Sequence, residues 1–127
     1  MSWLKDERTD VAQMLAAAGL TAYAAVPDRV VPPLAMVVPG SPYLEDGQTI
    51  GAKRLHLDIW LIPGNGENEA ITDALDEQIM QAVTVLEAHD ITVENVSQPI
   101  QWSPNSGGQF LTSVVSCSYE AIPPTAN

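Results

Sequence analysis

Ala-Lys-Arg-Leu-His-Leu-Asp-Ile-Trp-Leu-Ile (52–62) is the clearest strand signal in the chain. Leu55, Leu57, Ile59 and Leu61 fall on one side of an extended backbone. His56, Asp58, Trp60 and Ile62 fall on the other. A period of two marks a strand with one face in an apolar core. The second face is neither apolar nor polar throughout. Pro63-Gly64-Asn65-Gly66 closes the strand.

Toward the N-terminus, residues 41–51 are polar, with Asp46-Gly47 at a turn, and read as a long hairpin arm or loop. Leu34-Ala35-Met36-Val37-Val38 reads as a buried strand ended by Pro39-Gly40. A shorter extended stretch covers 21–26. Between them, Pro-Asp-Arg-Val-Val-Pro-Pro (27–33) can be neither helix nor paired central strand, because proline lacks the amide donor. Over 2–19, Leu4, Val11, Leu15 and Ala18 lie near one helical stripe with Met14 beside them. Ser2 suits its cap, or Thr9 the cap of a shorter version, and Gly19 suits the left-handed residue after the last turn.

Toward the C-terminus, residues 68–88 predict the longest helix, with Ile71, Leu75, Ile79, Val83 and Leu86 in one stripe and Ala82 beside it. Asp73, Asp76, Glu77 and Glu87 lie largely outside that stripe, on a wet acidic face. Residues 91–100 predict a strand bent at Pro99, and 103–108 a turn. Residues 109–120 predict the last strand, with Leu111, Val115, Cys117 and Tyr119 on its apolar side. The expected fold is therefore α+β: a mainly antiparallel sheet with two helices packed on one face, in the order α-β-β-β-α-β-β. Residues 1–122 form one domain with a long polar loop at 41–51, and 123–127 a short frayed tail.

The chain has 127 residues, 46% of them hydrophobic and 17% charged, which excludes a generally disordered polymer. Asp plus Glu number 16 against five Lys plus Arg, for a net charge of −11. Such a surface repels phosphate and argues against gripping nucleic acid or an anionic membrane. The single cysteine, Cys117, has no internal disulfide partner. The opening Met-Ser-Trp-Leu-Lys-Asp-Glu-Arg-Thr-Asp shows neither a secretory pattern nor a membrane span, so the expected place of use is inside a cell or in a particle assembled there.

The sequence offers little for chemistry. No serine lies in a Gly-x-Ser-x-Gly elbow. Cys117 falls mid-strand on the inner side, the place of a small core residue, and little positive charge is present to activate a thiol. His56 and Asp58 share a strand face, but a zinc shell would need His89 or acids of the second helix as well. His89-Asp90 falls where a helix dipole favours histidine. The paired acids Glu45-Asp46, Glu67 with Glu69, and Asp76-Glu77 read as solvated runs, with no buried partner to split their roles. Gly64-Asn65-Gly66 lacks the lysine of a phosphate loop and is followed by acids. No catalytic, cofactor or metal residue is assigned. The aromatics point elsewhere: Trp60 opposite the aliphatic face, Trp102 before a turn and Tyr43 in the polar connection suit protein–protein contact. Tyr43, Leu44, Glu45, Asp46, His56, Asp58, Trp60 and Trp102 are the expected interface residues.

Several phrases, covering almost the whole chain, carry a family likeness. They are Ala-Ala-Ala-Gly-Leu (16–20), Val-Pro-Pro-Leu-Ala-Met-Val-Val-Pro-Gly-Ser-Pro-Tyr-Leu-Glu (31–45), Leu-His-Leu-Asp-Ile-Trp-Leu-Ile (55–62), Ala-Ile-Thr-Asp-Ala-Leu-Asp-Glu-Gln-Ile (70–79) and Phe-Leu-Thr-Ser-Val-Val-Ser (110–116). In these the chain resembles the tail terminator proteins of long-tailed, non-contractile bacteriophages, particularly those of actinobacterial phages. The resemblance implies a hexameric ring in the virion, assembled in the host cytoplasm. That ring would sit on the last ring of tail tube protein, end tube growth and meet the head–tail connector. DNA would pass through it without specific binding. Two alternatives stand beside it: a stopper or adaptor at the same joint, and a small α+β ligand-binding module or enzyme using His56, Asp58 and His89.

Overall fold

Residues 53–62 form the strand around which the molecule is built. In the computed structural model, which describes residues 3–64, 69–104 and 109–124, β3 (Lys53–Ile62) lies between β2 (Leu34–Asp46) and β6 (Phe110–Ala121), antiparallel to both. Outside β2 lies β1 (Ala22–Tyr23), a two-residue parallel strand. Outside β6 lie β4 (Thr92–Val96) and, further along the same edge, β5 (Ile100–Trp102). With α1 (Trp3–Ala17) and α2 (Glu69–Ala88) this is the expected α+β class and nearly the expected order, with one more short strand.

The alternation of β3 sorts its side chains as its sequence predicts. Leu55, Leu57, Ile59 and Leu61 are fully buried together with Ala35 and Val37 of β2, Val115 and Cys117 of β6, Val11, Ala12 and Leu15 of α1, and Leu75, Ala82 and Leu86 of α2. Both helices therefore pack on one face of the sheet. Each large aliphatic side chain withdrawn from water there contributes about 1.5–3 kcal/mol. The α1 helix ends in a Schellman turn: Gly19 adopts φ +101° and the Leu20 amide donates to the Leu15 carbonyl at 3.1 Å. Thr9 does not cap a shorter helix. Its hydroxyl donates to the Lys5 carbonyl from mid-helix, and the Ser2 cap lies outside the described residues. The start of the second helix at 68 and the Gly64-Asn65-Gly66 turn also run into undescribed positions, as do the ends of the 103–108 turn and of the tail. The α2 helix ends likewise on Asp90 at φ 61°, with the Ile91 amide on the Leu86 carbonyl at 3.0 Å.

Three boundaries differ from expectation. Residues 41–51 are not a loop throughout: β2 continues to Asp46, and only 47–52 turn the chain. The ladder skips from Pro39 opposite Leu57 to Leu44 opposite Leu55, so residues 40–43 bulge against His56 alone. Pro39 and Pro42 are tolerated because β1 reaches only as far as Met36, which leaves the outer edge of β2 without a ladder beyond it. The 91–100 strand is split at Ser97-Gln98-Pro99 into β4 and β5. Ser97 holds the break, its amide donating to the Val114 carbonyl and its hydroxyl oxygen accepting from the Val114 amide. The 21–26 stretch shortens to Ala22–Tyr23.

Gln78 is the one polar residue on the buried stripe of α2. Its Nε2 donates weakly to the Ile62 carbonyl at 3.4 Å, and its Oε1 is buried without a partner among the described residues. An unsatisfied buried acceptor costs more than the bond beside it returns. Gln78→Met is therefore expected to leave stability unchanged or raise it by up to about 1 kcal/mol in urea unfolding.

Candidate functional site on the open sheet face

The face of the sheet opposite the helices is divided in two. One end is apolar. Leu34 and Met36 of β2, Ile62 of β3 and Phe110 of β6 are buried there beneath Val30, Val38, Trp60 and Trp102. The two tryptophans meet edge-on at 5.6 Å and 66°, and Trp102 lies 6.3 Å from Phe110. Val26, Met36, Val38, Trp60 and Trp102 line a slot of about 230 Å³. Val26 on its wall is about half exposed.

The other end is ionic and centred on His56. Its Nε2 lies 2.6 Å from Glu45 of β2 and its Nδ1 3.1 Å from Glu94 of β4, so one imidazole ties together strands that have β3 and β6 between them. Nearby, the Ser116 hydroxyl donates to Asp58 at 3.1 Å. Arg54 donates to the Ser118 hydroxyl at 2.9 Å and pairs with Glu120 at 3.5 Å. Burial alone would hold the imidazolium back, but hydrogen bonds to Glu45 and Glu94, with their charges, outweigh it and raise the His56 pKa above 6.5. Both ring nitrogens donate only in the protonated form. The sign follows: the clamp's contribution is complete below the unfolded value and is lost as pH rises through the folded one. Both carboxylates are 40% exposed or more. Stability in denaturant is thus expected to fall by no more than about 1 kcal/mol from pH 6 to pH 8.5, and His56→Gln to remove that step.

The expected interface residues separate into distinct roles. Trp60 and Trp102 come together at the slot. Glu45 and His56 join the clamp, with Asp58 beside it. Asp46 pairs with Lys53 at the base of the turn, which holds its carboxyl below the usual range. Leu44 is exposed opposite Leu55. Tyr43 is not presented outward. It packs half-buried on the helix-side core, and its hydroxyl accepts from Arg8 of α1 at 2.7 Å, pinning the arm to the helix layer. Sequence reasoning missed Glu94 and the Met36–Val38 side of β2. The signal for the latter was present: a strand apolar at every position, 34–38, has something to cover on both faces.

The residues available for chemistry do not converge. His89 sits at the end of α2, on the helix side of the sheet, its Nδ1 on the Val85 carbonyl at 2.9 Å, whereas His56 and Asp58 lie on the opposite side. The two carboxylates at His56 lie at opposite ring nitrogens, so they do not converge with either nitrogen on a single ion. No group of three or more His, Cys, Asp or Glu among the described residues is placed to hold a metal. Cys117 is buried, and burial, with Asp58 and Glu94 nearby, pushes its thiol up to about 12, the opposite of activation. No helix among the described residues is long and apolar enough to cross a membrane. No protein-family model matches the chain, and no curated protein matches it.

Proposed function

We propose that this chain is a structural subunit that works by contact with copies of itself and with other particle components. In the specific form of this reading it forms a ring, hexameric by the family likeness, on the head-proximal end of a long-tailed bacteriophage tail tube. There it ends tube polymerisation and meets the head-side connector. The observation that carries the reading is the open sheet face. A layer of strands normally buries its apolar side against another element. Here the helices take one face, and the other keeps a tryptophan-walled slot beside a cross-linked ionic cluster. That mixture of aromatic anchor and satisfied polar rim suits a surface which meets a partner yet tolerates water before it does so.

The net charge fits a channel role. Glu69, Asp73, Asp76, Glu77 and Glu87 of α2 are exposed. Acids lining a lumen deny phosphate any partner, so DNA slides instead of sticking. The test is direct. Tail tube protein polymerised with the chain present is expected to give short tubes bearing one ring at one end in electron micrographs. Tubes of unchanged length with bare ends would overturn the reading.

A further inference from the structure

Two strands break their ladders where they meet His56. On one side, β2 passes from Pro39 opposite Leu57 to Leu44 opposite Leu55, so its bulge lies against His56. On the other side, β4 places Val93 opposite Cys117 and then Asn95 opposite Ser116, which leaves Glu94 as the extra residue of a second bulge. A bulge re-aims the side chain it carries. This one sends Glu94 across β6, past the small side chains of Ser116 and Ser118, to His56 Nδ1 at 3.1 Å. Glu45, just beyond the first bulge, reaches Nε2 at 2.6 Å. The His56 side chain is only 12% exposed, so little water reaches the ring to replace either partner.

The two carboxylates are not held alike. Glu45 lies opposite Arg54 in a ladder that Asp46 and Lys53 continue, and Tyr43 nearby is bonded to Arg8. Glu94 has no ladder partner. Its strand is five residues long at the edge of the sheet, and all but Val93 are exposed. The segment is fixed at its ends, by the buried Ile91 and by Ser97 on Val114. Between those ends, Glu94 ties it to the central strand.

Protons decide whether both ties can exist. An imidazolium donates from both nitrogens. A neutral imidazole donates from one and turns a lone pair toward the other carboxylate. The charged groups on the side of His56 are Glu45 from β2, Arg54 and Asp58 from β3, Glu120 from β6 and Glu94 from β4. Lys53 and Asp46 fall on the alternate side of their strands and pair with each other. Arg54 is already engaged by Ser118 and Glu120. Once the ring loses its proton, no free cation among these groups stands in for it, and the ring can hold one carboxylate.

We propose that His56 is a protonation-operated latch on the edge of the sheet: charged, it holds Glu45 and Glu94 together; neutral, it keeps Glu45 and releases Glu94, so that the middle of β4 loosens. The shorter contact and the better-anchored strand keep the remaining proton on Nε2. The latch is a property of the single chain and stands apart from the ring-subunit reading.

The experiment titrates isotope-labelled full-length protein from about pH 5.5 to about pH 8.5, the range in which histidine changes charge. Nuclear magnetic resonance follows the His56 ring, the Glu94 carboxyl carbon and amide exchange along β2 and β4, corrected for its intrinsic pH dependence. The Glu94 carbon is expected to move with the midpoint of the ring. Amides of β4 are expected to exchange roughly three- to fivefold faster on the alkaline side, while residues 44–46 keep their protection. Glu94→Gln supplies an amide that accepts from the imidazolium and donates to the neutral ring, so it is expected to erase the step and keep β4 protected throughout. Glu94→Ala is expected to show the alkaline level of exchange at every pH. A ring that titrates while the Glu94 carbon and β4 stay unchanged would overturn the proposal. So would a step that survives Glu94→Gln, full acid-side protection in Glu94→Ala, or loosening of residues 44–46 in place of β4.

Discussion

Ile59→Ala is expected to remove about 4 kcal/mol of unfolding free energy, read as a lower urea midpoint at unchanged slope. Ile59 is fully buried at the middle of β3, between Val37 of β2 and Val115 of β6, and the helix layer closes over it. Truncation loses the transfer free energy of three carbons. It also leaves a cavity whose walls are held by backbone ladders on both sides, and such walls collapse poorly. Domains of this size are stable by about 5–15 kcal/mol in total, so the variant is expected to unfold well below the wild type on heating. A loss under 1 kcal/mol would mean that the helices close onto the sheet more loosely than their contacts indicate.

Gly40→Val is expected to cost about 3 kcal/mol and to displace the β2–β3 arm. A Cβ at Gly40 would lie 2.9 Å from the backbone carbon and oxygen of His56. Those atoms belong to the central strand and cannot step aside as a flexible side chain can. Gly47 is the control. A Cβ there meets chiefly the Glu120 carboxylate, which can swing away, and lies 3.2 Å from the Ala52 carbonyl oxygen, so Gly47→Ala is expected to cost about 1 kcal/mol, well under Gly40→Val. The same pair of variants separates fold from assembly. Gly40→Val re-aims the arm and the Glu45–His56 contact together, so it is expected to impair both unfolding midpoint and tube capping. If capping survives an arm displaced in this way, the arm takes no part in it.

The bulge at 40–43 also shows where sequence reading stopped short. Pro39-Gly40 is a strand terminator by local rules, and Pro42 reinforces it. The ladder resumes at Leu44 because the outer edge of β2 is unpaired there and Gly40 lets two backbones approach. Neither condition is visible without the neighbouring strands. Removing 44–50 as a supposed loop would strip three paired residues together with the turn.

The helix stripes, the Gly19 stop, the two-faced β3 and the α+β class were legible because each follows from a period or a turn preference within a few consecutive residues. The open-face groupings were not. Glu45 and Glu94 are brought to the His56 imidazole by the strand order β1-β2-β3-β6-β4, and Met36, Trp60 and Trp102 to one slot by the register of β2 on β3 and of β5 on β6. Order and register are settled when the inner face buries its aliphatics under the helices, and a shift of one residue would turn every one of those side chains to the other side. Local chemistry wrote the elements; the packing of the far face selected which of their outward residues became neighbours.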